Sequence, residues 1–308
     1  MRRTSMQNSF IKVLISLSLI LGLCTSVTAN EIDALEVRPS LVEPVVSIPT
    51  HLVAVPVVNP GEYYLPPRYD DIPDTEYGDI VRWGRKIFIN TQVHGKRYVG
   101  NGLNCTSFHL NEGRQPHASP MWAAYGMYPM FRTKSNKVVQ MTQRIQSCFK
   151  YSMNGIAPTV DAPEMDALIT YMHWLSKDVP IGVALPGRGF AGIKKTRDPS
   201  TINGEIMYKT QCAMCHGTNG QGQKNTNNVG YMFPPLWGVD TFNRKAGMNK
   251  IKTCAQFVKA NMPLGAGYTL SDDEALDVCY YIWIHDKPED SDASMLSNNL
   301  SPKRGTGR

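Results

Sequence analysis

The chain of 308 residues is long enough for two domains of ordinary size and carries a formal net charge of +6. Part of that charge sits in the N-terminal segment. No nucleic-acid-binding motif accompanies the rest, so nucleic acid is excluded as the expected partner. The apolar run Phe10 to Leu23 is shorter than a bilayer span requires, so no permanent membrane span is expected.

In chain order, Met1-Arg2-Arg3, the apolar run and Val27-Thr28-Ala29 read as a secretory signal over residues 1–29. Cys24 is a poor lipidation site, because Leu23 is too large for the position before it. Residues 30–73 are rich in Pro and Val without helical period and read as an extended arm. A first unit is expected over residues 74–178. It opens with a helix from Asp79 to Asn90 that buries Ile80, Trp83, Ile87 and Phe88 along one stripe. It closes with a helix from Pro163 to Ser176, where Asp161-Ala-Pro-Glu164 has the form of a capping box with an early Pro. A Gly- and Pro-bearing linker follows over residues 179–200. The second unit, 201–288, begins at Thr201-Ile-Asn203 and ends in a helix from Ala275 to Ile284, introduced by the capping box Ser271-Asp-Asp-Glu274. A polar tail, 289–308, is expected to be disordered.

The most specific motif lies early in the second unit. Cys212-Ala-Met-Cys215-His216 is the c-type haem attachment signature: two thiols to add across the haem vinyl groups, and an imidazole to bind iron. Thioredoxin-like and zinc sites also use Cys-x-x-Cys, but neither needs the adjoining His. In the first unit Cys105-Thr-Ser-Phe108-His109 has the same length and the same His, with Phe in place of the second thiol. Its context repeats that of the first motif. Upstream of each lies a helix with a Gly four residues before an aromatic (Gly84 and Phe88; Gly204 and Tyr208). Downstream of each lies a loop with a Met near a Gly (Met153 and Gly155; Met262 and Gly265), then another helix. The expected fold is therefore all-α: two tandem class I cytochrome c domains with an extended N-terminal arm. The expected cofactor is haem c, with iron as the metal, and a secretory start with c-type attachment places the mature chain in the periplasm.

Charge is uneven along the chain. Between Arg82 and Lys150 eleven basic residues face one acid, Glu112. One or two arginines neutralise haem propionates; the excess points to an anionic ligand, and a small dianion suits it.

Several runs then resemble a known family. Gly100-Asn-Gly-Leu-Asn-Cys105, Pro120-Met-Trp-Ala-Ala-Tyr125 and Arg144-Ile-Gln-Ser-Cys-Phe-Lys-Tyr-Ser-Met-Asn-Gly155 resemble the first domain of dihaem thiosulfate dehydrogenases (the TsdA family). Pro234-Pro-Leu-Trp-Gly238 and Lys259-Ala-Asn-Met-Pro263 are similar to the second. The resemblance implies an oxidoreductase that couples two thiosulfates to tetrathionate, or runs the reverse reduction, passing electrons from haem 1 to haem 2. The acceptor would be an external partner such as a small cytochrome c. It also implies His109 and Cys148 as the iron ligands of haem 1. Spacing alone favours Met153 over Cys148, since Met153 fills the slot of Met262 in the repeat, and a lone Cys is often a small buried hydrophobe. Arg144 lies one helical turn before Cys148, so both could face one cavity. Arg144, with Arg132 or Lys134, would hold sulfonate oxygens and Ser152 would add a donor, although Arg132 and Lys134 could equally form a solvated face.

In the second unit His216 and Met262 are the expected ligands, with Met232 and Met248 as rivals. Asn261 stands where some family members carry a switching Lys, so no such exchange is expected. Cys254 and Cys279 flank the ligand loop and, in an oxidising compartment, are expected to pair. Phe108 departs from the family pattern. Two haems are expected, the first held by a single thioether at Cys105 and the second by Cys212 and Cys215. The alternative is a non-catalytic monohaem electron-transfer cytochrome that has lost haem 1, with Cys105 and Cys148 left free to pair.

Overall fold

Two helix pairs, each seated on a glycine, organise the protein. The computed structural model describes residues 63–133 and 136–289. The expected signal, most of the arm, Lys134 and nearly all of the polar tail lie outside the described residues. In the first pair α1 (Glu76–Ile89) crosses a later helix at Pro163–Leu175. A Cβ built on Gly84 would lie 1.9 Å from the Ala167 carbonyl oxygen and 2.9 Å from the Tyr171 Cβ. The second pair repeats this, Thr201–Met207 against Asp272–Ile284. A Cβ on Gly204 would lie 2.1 Å from the Asp277 carbonyl oxygen and 2.8 Å from the Tyr281 Cβ. Each glycine thus lets one helix backbone touch the other, and a side chain there would force the pair apart. The aromatic four residues on then packs against the tyrosine of its partner helix. Ring centroids are 5.6 Å apart for Phe88 and Tyr171, and 5.6 Å apart for Tyr208 and Tyr281.

α1 begins three residues before the expected Asp79, where the Thr75 hydroxyl accepts from the Gly78 amide at 3.3 Å. Its buried face is Gly78, Val81, Gly84, Ile87 and Phe88, with Ile80 and Trp83 only half-buried. The stripe centres on Gly84 because that is where the partner helix reaches closest. The remaining longer elements are α2 (Met141–Ser147), α3 (Pro163–Leu175), α4 (Thr201–Met207), α5 (Ile251–Asn261) and α6 (Asp272–Ile284). α3 does start at Pro163, but its N-cap is Ala162, so Asp161 does not cap it. Glu164 instead takes Arg97 at 2.8 Å and the Tyr98 hydroxyl at 3.2 Å. The Ser271 box forms as expected: the Glu274 amide donates to the Ser271 hydroxyl at 3.2 Å, and the Ser271 amide donates to the Glu274 carboxylate at 2.7 Å. A disulfide joins Cys254 on α5 to Cys279 on α6, with Cα atoms 5.8 Å apart.

The all-α expectation describes the core but misses two small antiparallel ladders, β1 (Met130–Arg132) with β2 (Lys137–Val139) and β3 (Gln223–Lys224) with β4 (Tyr231–Phe233). Their strands are too short for an alternating pattern to stand out. The segment expected as a linker is also more than a tether. The His117 and Ser119 amides donate to the Gly187 and Gly189 carbonyls, each at 2.7 Å, and Phe190 packs edge-on against Phe257. Packing crosses between the two halves as well, for Phe242 and Ala246 belong to the core of the first.

Candidate active site

The site of the first half is assembled from four stretches around a cavity of about 250 Å³. Cys105, Phe108 and His109 come from the attachment motif. Arg144, Cys148, Ser152 and Met153 come from α2 and the π-helical segment Cys148–Ser152 that extends it. Arg132 comes from β1, and Arg188, Gly189 and Phe190 come from the connecting segment. Phe88, Met121, Leu168 and Met172 supply the apolar wall.

His109 is aimed by its neighbours. Its Nδ1 pairs with the Ser119 carbonyl at 2.9 Å, which leaves Nε2 as the ring nitrogen available to a ligand. Burial, opposed in part by that hydrogen bond, pulls its pKa down to about 4, so the ring is neutral and competent to bind iron. Burial also pushes the Cys105 thiol up to about 12, the state of an unmodified sulfur enclosed in an apolar wall. Arg144 is one of the fixed charges of the cavity. Its pKa lies above the usual guanidinium range chiefly because of Cys148, with Tyr128 adding through charge and a hydrogen bond. One turn of helix therefore does bring Arg144 and Cys148 to the same cavity.

The second half repeats the arrangement of the histidine. His216 Nδ1 pairs with the Pro234 carbonyl at 2.7 Å, and burial lowers its pKa. Cys212 ends a π-helical segment, Tyr208–Cys212, and Cys215 lies in the turn Ala213–His216; burial, then Cys215, raises the Cys212 thiol to about 11. Met262 is half-buried in the same apolar cluster as Cys212. Its rivals lie elsewhere: Met232 on the exposed side of β4, Met248 against the core of the first half.

The expected site residues Cys105, His109, Cys148, Arg144, Ser152 and Arg132 thus come together, and Met153 with them. Lys134 lies outside the described residues. Arg188 and Tyr128 were missed. Arg188 sits in a Gly-Arg-Gly stretch that reads as linker, and Tyr128 in a loop without period. The broad basic field is also narrower than the sequence suggests. Arg82 pairs with Asp79 at 2.8 Å, Arg85 with Glu112 at 2.7 Å and Arg97 with Glu164 at 2.8 Å, while Arg114 stacks on Tyr69. Asp79 and Glu164 lie outside the Arg82–Lys150 window, so counting within it hid them. Arg132, Arg144 and Arg188 are the arginines that line the cavity.

A carbonyl-anchored histidine with nearby thiols in each of two structurally repeated halves, beside a cavity in the first and an apolar cluster in the second, fits c-type haem and defines a two-domain c-type cytochrome. The SoxA/TsdA cytochrome c domain family matches residues 99–181, and the cytochrome c family matches residues 202–285. The thiosulfate dehydrogenase of Stutzerimonas stutzeri (strain A1501) is 46% identical over 229 residues, covering 74% of either chain. That of Thiomonas intermedia (strain K12) is 40% identical over 234 residues, 76% of this chain and 74% of the other. The thiosulfate dehydrogenase TsdBA of Marichromatium purpuratum, in its as-isolated form, superposes with a TM-score of 0.71 at 38% identity; the match covers 74% of this chain and 50% of that one. The chain belongs to the TsdA-type thiosulfate dehydrogenase family, whose two cytochrome c domains imply c-type haems.

Proposed function

We propose that this protein is a periplasmic thiosulfate dehydrogenase, joining two thiosulfates into tetrathionate with release of two electrons, and able to run the reverse reduction. The observation that carries the reading is the convergence of His109, Cys148 and Arg144 on one cavity. In the first half Cys105 holds haem through one thioether, with His109 and Cys148 as iron ligands. In the second half Cys212 and Cys215 form the thioethers, with His216 and Met262 as ligands. When bound, each haem accepts and passes on one electron at a time.

The chain's own residues do the rest. Ser119 and Pro234 fix the two imidazoles through their carbonyls. Arg144 presents a planar fork of donors to sulfonate oxygens one turn from Cys148, Arg132 adds a second cation, and Ser152 adds a hydroxyl donor. We extend the same role to Lys134 on sequence grounds. Cys148 would act as a sulfur nucleophile towards tetrathionate, its thiolate taking one thiosulfate unit and releasing the other. In the coupling direction the bond between Cys148 and a first thiosulfate would form with loss of two electrons to the haems, and a second thiosulfate would displace the cysteine to give tetrathionate. The Met262 site passes electrons outward to an external carrier such as a small cytochrome c. No helix among the described residues is long and apolar enough to cross a membrane.

Intact mass of the exported protein tests the loading, with two haems per chain expected. Steady-state reduction of an added cytochrome by thiosulfate tests the reaction. A single haem per chain would favour the monohaem carrier instead. Among the described residues Cys105 and Cys148 are both free thiols rather than a disulfide, and the first half keeps its cavity.

A further inference from the structure

The segment that presents Cys148 cannot satisfy its own backbone. A π-helical turn that ends at Ser152 leaves carbonyls with no amide ahead of them, and those groups need partners. The segment's own chain serves the first two: the Met153 amide donates to the Cys148 carbonyl at 3.0 Å, and the Gly155 amide to the Phe149 carbonyl at 3.0 Å. The next three are taken by two asparagines. Asn243 Nδ2 donates to the Lys150 carbonyl at 3.3 Å, and its backbone amide to the Tyr151 carbonyl at 3.1 Å. Asn101 Nδ2 donates to the Ser152 carbonyl at 3.0 Å and to the Thr241 carbonyl at 3.0 Å, which ties the two asparagine-bearing loops together.

Asn243 is fully buried and Asn101 nearly so. Both are oriented from behind: Asn243 Oδ1 accepts from the Lys245 amide at 3.0 Å, and Asn101 Oδ1 from the Leu103 amide at 3.2 Å. Asn243 belongs to the second half of the chain. Its hold on the Cys148 turn therefore comes from the opposite cytochrome domain.

We propose that Asn243 and Asn101 are positioning residues for the Cys148 thiol, so that the second domain sets the geometry of the sulfur chemistry in the first. The inference rests on the reading that Cys148 carries that chemistry. A buried asparagine in such a place has a strict donor requirement: losing the Asn243 side-chain amide leaves the Lys150 carbonyl and the Asn154 Oδ1 without their donor, while the backbone bond to Tyr151 remains. The turn then loosens at the residues next to the reacting sulfur, where small displacements matter most.

Two substitutions and a control test this in the full chain. Asn243→Leu fills the space without donating, and Asn243→Ser is the milder change should the first fail to fold. Each is expected to lower kcat for thiosulfate coupling on the order of 10- to 100-fold, with KM changed less. Each is also expected to speed alkylation of Cys148 by iodoacetamide several-fold, read by peptide mass spectrometry. Tyr231→Phe removes a hydrogen bond to Asp240 at the same interface without touching these carbonyls, and should leave both readouts at wild-type values. A wild-type value of either readout in Asn243→Ser, or an equal change in Tyr231→Phe, overturns the proposal. Coupling retained by Cys148→Ala would instead sink the reading it rests on, while the alkylation rates still report who holds the turn.

Discussion

The two halves share a skeleton and divide the chemistry. Gly84 and Gly204 seat equivalent helix crossings, Tyr171 and Tyr281 pack on equivalent aromatics, and each histidine is anchored through Nδ1 to a carbonyl. The difference lies in the loops that follow the histidines. The first half has a cavity with a thiol and arginines, and the second has Met262 in an apolar cluster. On the proposed reading, two copies of one scaffold would carry an anion-binding reaction site and an electron-transfer site, set apart by side chains rather than by the helix framework.

The largest expected effect breaks the comparison at its sharpest point. Cys148→Gly removes the Cys148 sulfur from the first half and changes no side chain of the second, so thiosulfate oxidation should fall below detection. The absorption of the second haem should stay as in the wild type. Turnover retained by that variant would move the ligand to Met153, which lines the same cavity.

Arg144 comes next. Arg144→Gln should lower kcat/KM on the order of 100-fold, and Arg144→Lys nearer 10-fold, because the lysine keeps the charge but loses the two-pronged geometry. Normal kinetics for Arg144→Gln with both thiosulfate and tetrathionate would mean that this arginine serves the haem or the fold, and that the anion binds elsewhere, Arg188 being the next side chain to test.

A third prediction concerns how the second half is fastened. Asp277 occupies the place that Ala167 holds in the first half, and its side chain is 1% exposed. It accepts from the Arg197 guanidinium at 2.8 and 2.5 Å and from the Ser200 amide at 2.7 Å. Burial works against its charge, but these donors outweigh it and hold its pKa below the ordinary value. A depressed folded pKa means stability that is present above the unfolded value, about 3.9, and lost as pH falls through the folded one. Arg197→Ala should therefore lower the thermal midpoint by several degrees at neutral pH. The gap to wild type should narrow as pH drops below the carboxylate range, where Asp277 is protonated in both. A gap that stays constant with pH would mean that Arg197 acts by packing rather than by charge.

The repeat was legible in the sequence because its markers are rigid: a glycine where backbones touch, an aromatic one turn on, Cys and His at fixed spacing. Arg144 and Cys148 could be brought together for the same reason, since one helical turn separates them. What stayed hidden depends on distant segments. Arg188 looks like linker until the Gly187 and Gly189 carbonyls pair with the amides of His117 and Ser119 beside the site. The side-chain amides that hold the Cys148 turn are 51 and 93 residues away from the carbonyls they bind, and no periodicity connects them. Likewise the basic window looked unopposed, because Asp79 and Glu164 join it only through folding.

The smallest effect concerns Phe108, where the two attachment motifs differ. In the second half the corresponding residue is the thiol Cys215; in the first, the Phe108 ring meets Phe242 of the other half edge-on, with centroids 6.1 Å apart. A ring packed between the halves thus fills the position that a thiol holds in the other motif. If Cys105 alone forms a thioether, one vinyl group stays conjugated with the macrocycle. The α-band of the pyridine haemochrome should then lie to the red of that for a fully attached pair. Phe108→Cys restores the second thiol and should move the band to the blue. Addition of a thiol across a vinyl group adds no atoms, so the intact mass should change only by the difference between the two residues. Turnover should change little, because the iron ligands and Arg144 are untouched. A gain of one whole haem in mass would show instead that the wild-type first half is empty, and an unmoved band at constant mass would show that the introduced thiol never reacts.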